Sequence, residues 1–291
     1  MTELRIVDEI LEAFYNEILR HGYTNGVKLI PYFGGDYYVA DLILSRLRPI
    51  MGDVYVEVFG GSCYIAQRIN VMRRASGKPK IIICNDKDRL LYKLYVVIRD
   101  RPRELASRLA TWPYAREFHQ LAVELLGACE RDELDDVTCA ALMYYVLRAS
   151  IARFGGGFAV SLANHDHAET YTRSIATLVT NAAQLRGVHF ESRDFADLVT
   201  RYDREETTFY LDPPYVGINM YRVGFTRHDL HRLAKTLQGV KGRWLLKISQ
   251  DNYMLIRDKL PPHRSETFEV TSYTEVTSDE RRKWTMVLAY A

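Results

Sequence analysis

Residues 54–98 constrain the fold more than any other stretch. Val54-Tyr55-Val56-Glu57-Val58-Phe59 alternates and is rich in β-branched and aromatic types, the pattern of a strand. Gly60-Gly61-Ser62 breaks it, and a helical pattern follows to about Arg74. Lys80-Ile81-Ile82-Ile83-Cys84 then reads as a buried strand ending at Asn85-Asp86, with a further helix over about 89–98. Two strands joined through a helix cannot form a hairpin. They form a βαβ crossover, which commits the chain to a parallel sheet covered by helices.

The rest of the chain either continues this rhythm or interrupts it. An amphipathic helix is predicted over 4–20, from Ile6, Ile10, Phe14 and Ile18 at spacing four. Another follows the turn Tyr32-Phe33-Gly34-Gly35-Asp36 and stops at Pro49. Residues 101–152 look mainly helical, and 153–168, with three consecutive glycines, look like an irregular loop or hairpin. The βα rhythm resumes with a helix at 172–185, a strand at 188–192, a helix at 194–202 and a strand at 207–211. A helix near 227–238, a strand at 243–249 and two terminal strands (267–272, 285–290) complete it. The simplest organisation is one α/β domain in two halves, 1–100 and 171–291, interrupted by a mostly helical module at 101–170.

Composition narrows the class. The chain has 291 residues, 47% of them hydrophobic and 26% charged, with a net charge of +2, so a large core is affordable and dominant disorder is excluded. Uninterrupted apolar runs fall short of the roughly 18 residues a membrane span needs, and the N-terminal residues lack a secretory pattern. Cys63, Cys84, Cys129 and Cys139 form no C-x-x-C pair. They read as buried or free thiols of a reducing cytosol, with neither a disulfide framework nor structural zinc expected. No lysine occurs from Leu94 to Ala234. Arginine there suits phosphate and guanine edges, although genome-wide habit explains it equally well.

The sharpest chemical signal is Asp212-Pro213-Pro214-Tyr215, directly after the strand Thr207-Thr208-Phe209-Tyr210-Leu211. In open α/β sheets, ligands sit at such carboxyl ends. A nucleobase amine is a poor nucleophile because its lone pair is delocalised into the ring. A carboxylate accepting one N–H and a carbonyl accepting the other draw the nitrogen toward tetrahedral geometry and free that lone pair. Proline has no N–H and a fixed φ, so Pro213 can present a bare carbonyl, and Tyr215 offers a flat face to a planar base. The competing reading is a rigid Pro-Pro turn.

A second constellation joins Glu57, Phe59, Gly60 and Gly61 to Asp86. Glycines at a strand-to-helix turn allow close approach of a ligand, and an acidic residue ending the next strand can hold a ribose diol. A nicotinamide site would fit this unit loosely, but G-x-G-x-x-G is absent and the Asp212 loop would have no role. Asn164-His165-Asp166-His167 lacks spaced partners for a metal, and Asp132 to Asp136 read as a solvated helix start.

In this order, these landmarks resemble the Dam-type DNA adenine methyltransferases. Tyr32-Phe33-Gly34-Gly35-Asp36 is similar to the family's W-x-G-G-K element, Glu57 to Gly61 to its strand–glycine turn, and Asn85-Asp86 to its N-D strand end. Asp212 to Tyr215 resemble its catalytic loop, Tyr221 and Phe225 its following aromatic pair, and Lys247-Ile248-Ser249 a later strand end. The resemblance implies a Rossmann-like class I sheet using S-adenosylmethionine (SAM). It implies cofactor contacts from Tyr32, Gly34, Gly35, Glu57, Phe59, Gly60, Gly61, Asp86 and Asp212, and catalysis by Asp212, Pro213, Pro214 and Tyr215. The module at 101–170 becomes the target reader, with Arg148, Arg153, Phe154 and Tyr221 toward duplex DNA. No metal is implied, the compartment is the cytoplasm with its nucleoid, and a cognate restriction endonuclease is a conceivable partner. Cytosine, RNA adenine, a protein glutamine or a non-catalytic DNA-binding role remain alternatives. One departure stands out: Asp36 occupies the place of the family's lysine, reversing a charge, so either another cation substitutes or the contact differs.

Overall fold

The computed structural model describes residues 28–151, 156–160, 166–218, 221–271 and 283–291. The helix expected at 4–20 lies outside them. A seven-stranded sheet organises the chain, from β1 (Val54–Glu57), β2 (Ile81–Asn85), β3 (Val188–Glu191), β4 (Thr207–Leu211), β5 (Arg243–Ser249), β6 (Arg264–Thr271) and β7 (Lys283–Tyr290). Their spatial order is β3-β2-β1-β4-β5-β7-β6. The first five are parallel, and β7 runs antiparallel between β5 and β6. This is the expected Rossmann-like sheet. Its order reverses between β1 and β4, so the connections leave in opposite directions there and a crevice opens at the carboxyl ends.

Helices cover both faces: α1 (Ala40–Leu47), α2 (Tyr64–Ser76), α3 (Arg89–Asp100), α4 (Pro102–Ala110), α5 (Arg116–Glu130), α6 (Asp136–Ala149), α7 (His167–Ala176), α8 (Leu178–Asn181), α9 (Phe195–Tyr202), α10 (Arg227–Gln238) and α11 (Gln250–Ile256). The helix expected at 172–185 is shorter segments, ending in a 3-10 turn at Ala182–Leu185. Of the loop at 153–168, residues 153–155 and 161–165 are outside the described set. A hairpin-like antiparallel bridge joins Ser150 to Phe158. No helix among the described residues is long and apolar enough to cross a membrane.

Strand side chains alternate between faces. Tyr55, Tyr210, Leu245 and Leu288 point into one core cluster, with Leu105, Leu126 and Tyr144 of the helical segment. Val56, Phe209, Leu246 and Val287 point into the other, beneath α9 and α10. Moving two residues along from the first set reaches Glu57, Asp212 and Lys247, which therefore emerge on one face of the sheet. The register pairs Tyr210 with Leu245 and Leu211 with Leu246. One step further brings Asp212 opposite Lys247.

The cysteines correct the thiol expectation. They are buried as expected, but Cys63 is bonded to Cys84 and Cys129 to Cys139, so none is free. Sequence spacing hid this because the first pair meets only when the glycine turn folds over β2, with Cα atoms 6.5 Å apart. Denatured, unreduced protein treated with an alkylating reagent should therefore show no labelled thiol by intact mass, and four after reduction. Labelling of all four without reduction would remove the cross-links from the structure.

Candidate active site at the sheet switch point

The crevice between β1 and β4 is a cleft enclosing about 880 Å³, including its open mouth, within the range of small-ligand sites. The glycine turn and Asp212 line the same cleft, together with Tyr32, Gly34, Gly35, Phe59, Asp86, Pro214 and Tyr221. Thus the two constellations read from the sequence, 126 positions apart (212 − 86), share one cavity.

The turn must be glycine for measurable reasons. A Cβ on Gly60 would fall 2.7 Å from Cys84 Sγ and 2.9 Å from the Asn85 carbonyl oxygen. Gly61 has φ +46°, and a Cβ there would lie 2.9 Å from the Tyr32 ring, a left-handed conformation disfavoured for other residues. The Gly61 N–H donates to Asp86 Oδ2 at 2.8 Å, and its carbonyl accepts from Tyr95 Oη at 2.8 Å. Asp86 Oδ1 accepts from the Asp88 N–H at 2.8 Å. Burial, with the Asp88 charge adding to it, pushes the Asp86 carboxyl up to about 7, against the pull of these backbone donors.

Asn85 fastens the neighbouring strand ends. Its amide donates to the Val58 carbonyl at 2.9 Å, and its oxygen accepts the Arg193 N–H at 2.8 Å. Arg193, Asp194 and Phe195 thereby join the cleft wall. Phe59, Phe195 and Phe225 lie with ring centres 5.5–6.1 Å apart, an apolar group suited to a planar ring.

At the other end lies a buried ion set. Lys247 on β5 donates from Nζ to Asp36 Oδ1 and lies 2.7 Å from Asp212 Oδ2. Asp36 Oδ2 accepts from Tyr210 Oη at 2.7 Å. Burial opposes the charge on Lys247, but Asp212 and Asp36 more than offset it and hold the amine well above its usual value. Burial pushes the Asp212 carboxyl up to about 7, where Lys247 pulls it down and Asp36 pushes it up. The charge reversal at position 36 is accordingly met by a cation from another strand.

Several expected residues sit elsewhere. Glu57 does not line the cleft; it is 2% exposed and accepts from the Ala66 N–H at 2.5 Å and Tyr55 Oη at 3.2 Å, tying α2 to β1. Burial, then the Asp36 charge, raises its carboxyl far above the ordinary range. Pro213 is buried just behind the cleft lining, whereas Tyr215 stays beside the ion set: its hydroxyl hydrogen-bonds with Lys247 and its ring stacks toward Trp284 at 6.5 Å. Arg148 donates to the Leu29 carbonyl at 2.8 Å and lies over the Tyr144 ring, with Nε buried. Its guanidinium is thus engaged in holding the N-terminal segment. Arg153 and Phe154 lie outside the described residues. Of the other candidates, Asp166 caps α7 and Asp135 caps α6, and no metal-binding cluster occurs among the described residues. Sequence reading gave no site role to Lys247, Asn85 or Phe195; the polar Lys247 inside a buried strand was the available signal.

A switch-point cleft flanked by a glycine turn, an acidic strand end and a carboxylate–proline loop defines a Rossmann-like methyltransferase. The model of the D12 class N6 adenine-specific DNA methyltransferase family matches residues 32–268. The chain belongs to that family, whose methyl donor is SAM. No curated protein sequence matches it significantly. Among solved structures it is similar to a SAM-dependent O-methyltransferase from Thermotoga maritima, with 12% identity and a TM-score of 0.36. That alignment covers 86% of this chain and spans 63% of the other protein's length.

Gly61→Ala should weaken SAM binding by about tenfold or more while leaving the far-ultraviolet spectrum intact, because the turn must shift off Tyr32. Titration calorimetry checks it; unchanged affinity would mean the turn does not seat the donor.

Proposed function

We propose that this chain methylates the exocyclic 6-amino group of a flipped adenine at a specific site in duplex DNA. The observation that carries the reading is the common cleft of Asp212 and the glycine turn, which puts an amine-accepting carboxylate beside the seat proposed for the donor. The residues present fit SAM. Asp86 suits a ribose diol, the phenylalanines suit adenine, and the anionic end at Asp36 and Asp212 suits a sulfonium. When bound, SAM supplies an electrophilic methyl group.

The protein's own part is orientation. Asp212 would accept one amine hydrogen and the Pro213 carbonyl the other, directing the nitrogen lone pair along the line of attack. As charge develops on nitrogen, the ionised carboxylate stabilises it. Flipping costs a few kcal/mol of lost stacking, offset by the aromatic surfaces of Tyr215 and Tyr221 in this reading. Residues 101–170, with Arg153 and Phe154, would read the target, and the phosphate or base-edge role of Arg148 becomes a secondary one given its contact with Leu29. A cognate restriction endonuclease and a nucleoid-associated cytoplasmic setting belong to the same reading. Asp36 in place of the family's lysine would suit a non-catalytic relative; Lys247 beside Asp212, supplying a cation there, supports the catalytic reading instead.

Duplex DNA treated with protein and SAM, then digested to nucleosides, should yield N6-methyladenine. Asp212→Ala should abolish it while the far-ultraviolet circular dichroism spectrum stays that of the parent; retained methylation would remove the mechanism. Single-turnover transfer by the parent should rise with pH through about 7, as Asp212 ionises and becomes an acceptor. A rate flat from pH 6 to 8 would contradict that assignment.

A further inference from the structure

We propose that Lys247 is a positioning residue for the transfer. Shared between Asp36 and Asp212, it fixes one oxygen of Asp212 and keeps that carboxylate charged, while Asp36 draws the ammonium back so that the second oxygen stays available. The inference rests on the functional reading above and deepens it.

The geometry is specific. Lys247 lies on β5, Asp212 just past β4 and Asp36 in the turn before α1, so one ammonium joins three separate segments. The lysine and Asp36 side chains are 4% and 7% exposed, against 16% for Asp212, which alone of the three acidic and basic groups combines this contact with a proposed catalytic role. Lys247 holds Oδ2 of Asp212. Asp212 lines the cleft, and Oδ1 is the oxygen that Lys247 does not hold.

The charges around Asp212 make the arrangement decisive. Asp36, Glu57 and the hydroxyls of Tyr210, Tyr215 and Tyr221 surround it, and Lys247 is the cation that acts on it. Burial and Asp36 both favour the protonated acid, which would donate to an amine instead of accepting from it. Lys247 is the opposing influence. It cannot itself serve as the base, because its partners keep it protonated. Asp36 limits its hold: an ammonium facing Asp212 alone would bind that carboxylate more tightly and compete with the amine. Asp36 is in turn fixed by Tyr210.

The test is the pH profile of single-turnover transfer, with product identified as N6-methyladenine and SAM affinity measured separately. Lys247→Met should move the acidic limb up by about one pH unit or more, lowering the rate near neutrality about fivefold or more. Its SAM affinity should stay within a few-fold. Asp36→Asn should move the limb the opposite way, and the double variant Asp36→Asn/Lys247→Met should return it toward the parent. Lys247→Arg, which keeps the cation, should hold the limb in place and remains informative if the methionine variant does not fold. A purely structural lysine would change rate or stability at all pH values alike. Limbs that do not move in opposite directions in the Lys247→Met and Asp36→Asn proteins, or, without a folded methionine variant, an Asp36→Asn limb that stays put, would overturn the proposal while leaving adenine methylation standing. Absence of N6-methyladenine from the parent would overturn the functional reading and this inference with it.

Discussion

One ammonium lodged between two carboxylates organises the centre of this protein. Buried ion sets are weak contributors to stability, since apolar replacements of similar volume are often neutral or better, whereas deleting one member costs about 3–5 kcal/mol. Such a set is therefore a poor way to hold strands together and an effective way to fix charges in place. Here it lies where the sheet reverses order, and Lys247, Asp36 and Asp212 come from segments with no local tie to one another. The fold brings them together, and their mutual attraction then sets the position and protonation of Asp212, which lines the cleft.

The architecture was largely legible in the sequence because it depends on local patterns. The β1–α2–β2 unit, the helix at Arg227–Gln238 and the strand at Arg243–Ser249 appear where period and breakers placed them. The cleft was legible too, since glycines at a strand end and an acidic residue at the next are local signals with a common direction. Family membership over residues 32–268 agrees with the order of those landmarks.

What escaped depends on register and on inward-facing side chains. Nothing in Lys247-Ile248-Ser249 says which residue of a parallel neighbour it will oppose; only the pairing of Leu211 with Leu246 does. The disulfides escaped for the same reason, as Cys63 and Cys84 meet through tertiary folding across 21 positions. Arg148 and Glu57 were given ligand contacts through the family resemblance. A half-buried arginine reaching a backbone carbonyl and a carboxylate anchoring a helix N-terminus use the same donors and acceptors for internal ends.

The two walls of the cleft are fastened by different forces. The Cys63–Cys84 bond makes the glycine turn and the tip of β2 one covalent body. Opposite them, the segment carrying Tyr221, Val223 and Phe225 is held through Arg222, which pairs with Asp88 and with the exposed Glu130. Dissolved salt leaves a covalent bond untouched but screens an exposed ion pair. Added salt therefore screens chiefly the contact of Arg222 with the exposed Glu130 and much less its pair with the buried Asp88, while the covalent tie of the glycine turn to β2 is indifferent to it.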